Sequence, residues 1–312
     1  MKIYKYTTIE TALIILKSGR LLLNNPSVFN DPFDTDLKHD PEDAEKTKRI
    51  MTISSYLTKL VALMHDPNIG SVLKKDSSFR AIQQEYWRVV DKLKLTHRFD
   101  ESISFPKYRE WLSIDTSKFM QNATRESQEA LSNIERGILE TNETILVTCF
   151  SKDPKSILMW SHYGDKHKGV CLEYERPESF DFVDMKYSDK RPKIKTSKLT
   201  SFVAAKTILG EDYNQNIDQT IISEMMEPYQ TKANGWEYEQ EVRCMITTNS
   251  NSKSLSKDED KYFYKMPKPT KIIIGCRAGG EEMNELIKLA KKMKIKYVFL
   301  KKDKETFLLR EK

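Results

Sequence analysis

The acidic run that ends at Arg243 carries the densest chemistry in the chain. In Trp236-Glu237-Tyr238-Glu239-Gln240-Glu241-Val242-Arg243, a strand period of two places Glu237, Glu239, Glu241 and Arg243 on one face. Tyr238, Gln240, Val242 and Cys244 take the other. Carboxylates in one row repel, so a core-facing arrangement requires a cation or a ligand, and Arg243 compensates only part of that charge. Two readings stay open. In one, the row is the solvated face of an edge strand. In the other, one Glu orients a substrate hydroxyl or stabilises a cationic transition state.

A second cluster is Thr148-Cys149-Phe150-Ser151, followed by Met159-Trp160-Ser161-His162-Tyr163-Gly164 and His167-Lys168-Gly169. Trp160, His162 and Tyr163 are costly to bury without partners for their polar tips, and they can stack on or bond to a planar ligand. Packing of Trp160 and Tyr163 on a helix is the alternative. Ser161 and His162 are adjacent rather than arranged as nucleophile and base. There is no Gly-x-Ser-x-Gly elbow, no phosphate-binding Gly-x-x-x-x-Gly-Lys-Ser/Thr loop, no His-Glu-x-x-His and no strand-borne Gly-x-Gly-x-x-Gly. Gly275 to Gly280 lies between a strand and a helix, where it caps the helix or receives a phosphate. The pairs Lys291-Lys292 and Lys301-Lys302 read as solvated faces. The four cysteines, Cys149, Cys171, Cys244 and Cys276, sit far apart in apolar settings, which suggests neither a zinc knuckle nor a disulfide framework and points to a reducing cytoplasm.

The elements that must position these groups follow from periodicity. Ile3 to Tyr6 reads as a strand, then a helix with Ile9, Leu13 and Leu16 on one face stops at Gly19, and a strand follows through Leu21 to Leu23. Val28 to Asp34 contains Asn30-Asp31-Pro32, which fixes a turned backbone able to hold side chains rigidly. Helical spacing dominates residues 40–142, in Asp43 to Met64, Phe79 to Leu95 and Tyr108 to Leu139, with breaks at Asp66-Pro67-Asn68 and Pro106. Strands are expected over Thr144 to Ser151, Gly169 to Tyr174 and Trp236 to Ile246, and a second helical region over Ser201 to Tyr229. The C-terminal strand-helix-strand unit, Lys271 to Leu300, predicts a parallel pair with a right-handed crossover.

With 38% apolar and 31% charged residues in a chain of 312, global disorder is excluded, and the mild net charge of +6 does not demand an anionic partner. Lys5, Glu10 and Lys17 interrupt the N-terminal apolar stretch, so neither a signal peptide nor a membrane span is expected.

Four motifs in order, FNDPF from Phe29, CFS with MWSHYG between Cys149 and Gly164, GVCLEY from Gly169 and W-x-Y-E-x-E-x-R from Trp236, resemble a widespread bacterial domain family of unknown function. The resemblance spans nearly the whole chain. More distantly, the opening Ile3-Tyr4-Lys5-Tyr6-Thr7-Thr8, its helix and Ser18-Gly19-Arg20-Leu21 look like the start of DarT-like enzymes of the ADP-ribosyltransferase superfamily. The chain reads as a single α+β domain over 1–312 with a large helical insertion or subdomain over 40–142, and that resemblance implies a split, mostly antiparallel sheet like the ADP-ribosyltransferase core. It implies NAD as substrate and no metal. Lys5 or Tyr6 would stand where the superfamily has its NAD-contacting His or Arg, Thr148 and Ser151 in its Ser/Thr motif, and Glu239 and Glu241 in its Glu/Gln-x-Glu motif.

The chemistry implied is cleavage of the nicotinamide–ribose bond through an oxocarbenium-like cation, which a fixed carboxylate stabilises. Glu241 would hydrogen-bond the ribose and Glu239 would orient the acceptor. Tyr6, Trp160 or Tyr163 would stack on nicotinamide, and Lys5 or Arg243 would meet the pyrophosphate. The acceptor is left open among protein, nucleic acid, small molecule and water, and a toxin or antiphage-defence role follows by analogy alone. Two rival classes remain: a non-catalytic nucleotide or nucleic-acid binding module, and a metal-dependent nuclease using Glu237, Glu239 and Asp31. The NAD reading requires Glu241, Ser151 and Tyr163 to converge on one cleft.

Overall fold

The computed structural model describes residues 1–65, 77–96, 129, 132, 136, 140, 143–179, 181–210 and 219–312. The chain divides into two compact units, one built from Met1–Asp36, Glu140–Arg191 and Tyr229–Lys312, the other from Leu37–Leu139 and Pro192–Pro228.

The first unit is a mixed α/β body. Its main sheet has eight strands in the order β13-β12-β11-β4-β1-β3-β8-β5: β1 is Lys2–Thr7, β3 Ile145–Ser151, β4 Val170–Glu175, β5 Phe182–Asp184, β8 Glu241–Thr247, β11 Lys271–Ile274, β12 Lys296–Lys302 and β13 Leu309–Glu311. Every neighbouring pair is antiparallel except β11 and β12. That parallel pair is the one the C-terminal strand-helix-strand pattern predicts. A smaller sheet joins β2 (Arg20–Leu23), β10 (Lys261–Lys265) and β9 (Leu255–Asp258).

Helix α1, Ile9–Ser18, begins where the Thr8 hydroxyl accepts from the Thr11 N–H, and ends at Gly19, whose φ of 67° is open to glycine without strain. Its apolar face joins Ile3, Leu172, Ile272 and Leu286 in the larger core, over which the C-terminal helix also lies. The opposite sheet face buries Tyr6, Trp160, Cys171, Ile273 and Leu300. Alternation along β1 explains the division, since Ile3 and Tyr6 point to opposite faces. After the short helix Ile157–His162, the chain turns tightly through Asp165, Lys166 and His167, all with positive φ. Gly169 then passes so close to β1 that a Cβ there would collide with the Thr7 carbonyl oxygen.

One pairing sets up the site. β1 and β3 share the single register pair Tyr4↔Ser151, whereas β3 and β8 pair along their whole length from Ile145↔Thr247 to Ser151↔Glu241. Beyond Tyr4 the sheet forks. The β3 edge vacated by β1 is met by Asn24, which exchanges backbone hydrogen bonds of 3.0 and 2.8 Å with Val147.

The segment Trp236 to Ile246 departs from its expected continuous strand. Asn234–Glu239 is a 3₁₀ helix, Gln240 takes a left-handed conformation with φ of 43°, and the strand starts only at Glu241. Glu237 and Glu239 therefore do not share the strand row of Glu241 and Arg243.

The second unit contains the long helices Pro41–His65 and Ser77–Thr96 together with Ser197–Leu209 and Gln219–Met226. Residues 192–228 thus join the helical block read from sequence over 40–142. Asp43 fastens the two parts of this unit, accepting from the Thr196 and Ser197 N–H groups at 2.6 and 3.0 Å. The helix expected over Tyr108 to Leu139 and the breaks at Asp66-Pro67-Asn68 and Pro106 lie outside the described residues, isolated positions apart.

Candidate functional site in the fork of the sheet

The fork opens into a cavity of about 350 Å³ inside the first unit, lined by residues of β1, β3, the loop after β2, the short helix and the 3₁₀ segment. Its volume lies at the lower end of ordinary small-molecule sites, roughly 300–1,000 Å³. Lys5 bridges the fork. Its ammonium nitrogen lies 2.9 Å from Thr148 Oγ1 and 3.0 Å from the Cys149 carbonyl, an acceptor that strand pairing leaves unused.

At one side of the cavity two carboxylates meet two cations. Glu239 accepts from Lys232 Nζ at 2.6 Å and from the Tyr163 hydroxyl at 2.7 Å. Glu241 accepts from Arg243 Nε at 2.8 Å and from Lys232 Nζ at 3.3 Å. Arg243, fully buried, completes its fork on Asp34, with Nη1 to Oδ1 at 2.8 Å and Nη2 on Oδ2. Buried charges persist only with such pairing. The 3₁₀ segment is held in place by the Ser151 hydroxyl, which donates to the Glu239 carbonyl at 2.7 Å. The Glu241 N–H donates to the Tyr187 hydroxyl at 2.7 Å.

The loop from Asn24 to Asp34 supplies the opposite wall. Asn25 Nδ2 ties it to β3 through the Ile145 carbonyl at 3.1 Å, and Asp31 Oδ1 closes a turn by accepting from the Phe33 N–H at 2.9 Å. That turn delivers Asn30 Nδ2 to the Tyr163 hydroxyl at 3.2 Å, Phe29 to within 5.8 Å of the Arg243 guanidinium and Asp34 to Arg243 itself.

These contacts set the charge states. Burial raises the Glu241 carboxyl, but Arg243 and Lys232 outweigh it and hold it at about 2. For Glu239 burial wins, and its carboxyl sits above the ordinary range despite Lys232. Burial would lower Lys232, yet Glu241 and Glu239 carry it above its usual value. Burial and the Glu239 acceptor push the Tyr163 phenol up. The Cys149 thiol is pushed well up by burial, which suppresses thiolate chemistry there.

Lys5, Tyr6, Thr148, Ser151, Tyr163, Glu239 and Glu241 all line this cavity. Three other candidates do not. Trp160 is fully buried beneath Tyr6, ring centroids 5.2 Å apart, with its indole N–H donated to the Pro154 carbonyl, so it supports Tyr6 rather than stacking on a ligand. His162 is exposed on the short helix beside Tyr163 and Tyr238. Arg243 lies behind Glu241 with both its partners satisfied, so it is a positioning group and does not reach a pyrophosphate. The sequence reading missed Lys232, Asp34 and Asn30. Lys232 is the further cation between Glu239 and Glu241, and it sits on the two-residue strand β7, Thr231–Lys232, paired with β6, Lys186–Tyr187.

The set proposed for a metal does not gather. Glu237 is exposed, Asp31 is spent on its turn and Glu239 on Lys232, and among the described residues no three His, Cys, Asp or Glu side chains form a metal-binding group. No helix among the described residues is long and apolar enough to cross a membrane.

A family described as "Protein of unknown function (DUF2971)" matches residues 159–244, a stretch that includes Tyr163, Lys232, Glu239, Glu241 and Arg243. No curated protein and no solved structure matches the chain.

Proposed function

We propose that the fork cavity binds NAD and cleaves its nicotinamide–ribose bond, passing the ADP-ribosyl group to an acceptor or to water. The observation that carries this reading is the adjacency of β1, β3 and β8 in the sheet, with Lys5, Ser151, Tyr163, Glu239 and Glu241 around one cavity. A developing oxocarbenium ion beside Glu241, ionised across the neutral range, and Glu239 receives electrostatic stabilisation worth a few kcal/mol in comparable sites. Tyr4, Tyr6 and Tyr163 supply flat walls for a nicotinamide ring. On this reading the superfamily resemblance extends to the forked sheet, and a toxin or antiphage-defence role rests on analogy with DarT-like enzymes.

The test is nicotinamide release from NAD by the purified protein, with Glu239→Gln and Glu241→Gln as matched variants and their melting curves as fold controls. Release by the wild type, reduced at least about 10²-fold in folded variants, is expected. Absence of release from wild type supplied with protein, nucleic-acid and water acceptors overturns it.

A binding module is the second reading, favoured by one observation: both Glu241 oxygens are already engaged by Arg243 and Lys232. It requires NAD affinity without turnover, and affinity that survives Glu241→Gln.

A further inference from the structure

In and directly behind the cavity wall the charged groups fall into two kinds. Asp34, Glu239 and Glu241 are divided between Arg243 and Lys232. Lys5 stands apart: among the described residues it forms no ion pair, and its hydrogen-bond partners are two neutral oxygens, Thr148 Oγ1 and the Cys149 carbonyl. A lysine nitrogen has four tetrahedral positions, one bonded to Cε. The two acceptors account for two more, so a single position remains, carrying a third N–H in the ammonium and a lone pair in the neutral amine. Lys5 lines the cavity, where that remaining position can meet a ligand.

The surroundings of Lys5 bear on which form it takes. From β3 it meets Cys149 and, 5.8 Å away, the ring of Phe150; from β8 it meets the fields of Glu241 and Cys244. Burial lowers the Lys5 ammonium below its ordinary value, and Cys149, Glu241 and Cys244 pull the other way without prevailing. Lys232, elsewhere in the same site, moves upward because two carboxylates grip it. Two lysines driven apart in one cavity have the pattern that separates a structural cation from a working base.

We propose that Lys5 is the general base of this site, taking the proton from the hydroxyl of an acceptor, or from water, as that oxygen attacks the anomeric carbon. This rests on the NAD reading and adds the acceptor class, an oxygen nucleophile. In the step, the acceptor O–H bond breaks and its proton binds the Lys5 lone pair. The oxygen–anomeric carbon bond forms as the carbon–nitrogen bond to nicotinamide breaks, and nicotinamide leaves neutral with that bond's electron pair. Lys5 then returns its proton to solvent. Glu241 remains the ionised partner of the cationic sugar throughout.

Two measurements on the intact chain test it. In protein labelled with ¹³C at lysine Cε, the Lys5 resonance, assigned by its loss in Lys5→Arg, titrates below the ordinary lysine value. The pH profile of nicotinamide release has its rising limb at that same midpoint. Lys5→Arg, which keeps a cation and donors but holds no lone pair at neutral pH, lowers turnover about 10²- to 10⁴-fold with NAD affinity within about threefold. Lys5 titrating at its ordinary value, or Lys5→Arg turning over like wild type, overturns the base while leaving NAD cleavage standing. A low-titrating Lys5 in a protein that releases no nicotinamide overturns both assignments, and does so through the NAD reading.

Discussion

At the residue scale, the centre of the site is Arg243. It is fully buried, and its charge is tolerable only because Asp34 and Glu241 occupy both sides of the guanidinium. Removing one partner leaves an uncompensated buried charge, which costs roughly 3–5 kcal/mol. Asp34→Asn, isosteric but neutral, is therefore expected to lose about that much in urea unfolding; a loss under about 1 kcal/mol would mean that Arg243 is solvated. Glu241 adds a pH signature. Its folded carboxyl sits at about 2 against an ordinary 4.5, so its contribution is complete above about 4.5 and is lost as pH falls towards 2. Glu239 is shifted upward and acts in the opposite sense above 4.5. Unfolding free energy measured against pH should thus fall through the window from 4.5 to 2, with a shallower slope in Glu241→Gln.

At the element scale, the fork depends on β1 staying paired with β4 from Lys2 to Thr7 while it meets β3 at Tyr4 alone. Its far end is fixed by the pairing Thr7↔Val170 with β4, and Gly169, just before that partner, lies against the Thr7 carbonyl where a side chain has no room. Gly169→Ala is expected to push β1 and β4 apart, costing about 1–3 kcal/mol by overpacking and moving Lys5 relative to Thr148. Thermal unfolding reads the first effect, and NAD affinity the second. An unchanged melting temperature would show that the strand end yields without cost. The 3₁₀ segment shows how an element overrides a residue pattern. Gln240, with φ of 43°, turns the chain so that Glu239 reaches Lys232 from outside the strand while Glu241 reaches it from within.

At the scale of the whole molecule, two compact units are each assembled from separate stretches of chain, and each has its own buried residues. Such a molecule has two cores to melt, and independent cores give separate transitions. Calorimetry is expected to resolve two, with saturating NAD raising the one that Asp34→Asn lowers, since a ligand stabilises the unit that binds it, by about 2.7 kcal/mol at a hundredfold excess over Kd. A single transition shifted as a whole by both perturbations would show one cooperative body.

Much of this site was legible without coordinates. The period of two joined Glu241 to Arg243, the turn residues around Pro32 marked a rigid loop, and the repulsion among clustered carboxylates called for a further cation or a ligand. These are local rules, acting over a few residues of chain. What they could not supply is which distant residue answers each demand. Lys232 carries no motif and lies on a strand of two residues, too short for a period. Asp34 pairs with Arg243 across 209 positions. Trp160 and Tyr163 stand three positions apart, on and just after one short helix, where helical geometry would leave them only about 60° apart, yet one is fully buried and the other faces the cavity, a difference that packing decides. The fork itself arises from a register that stops after one pair. Sequence determined most of the elements around the site and which side chains need partners, but not the 3₁₀ turn that carries Glu239. Tertiary structure decided the partners, because buried charges are neutralised in space and not along the chain.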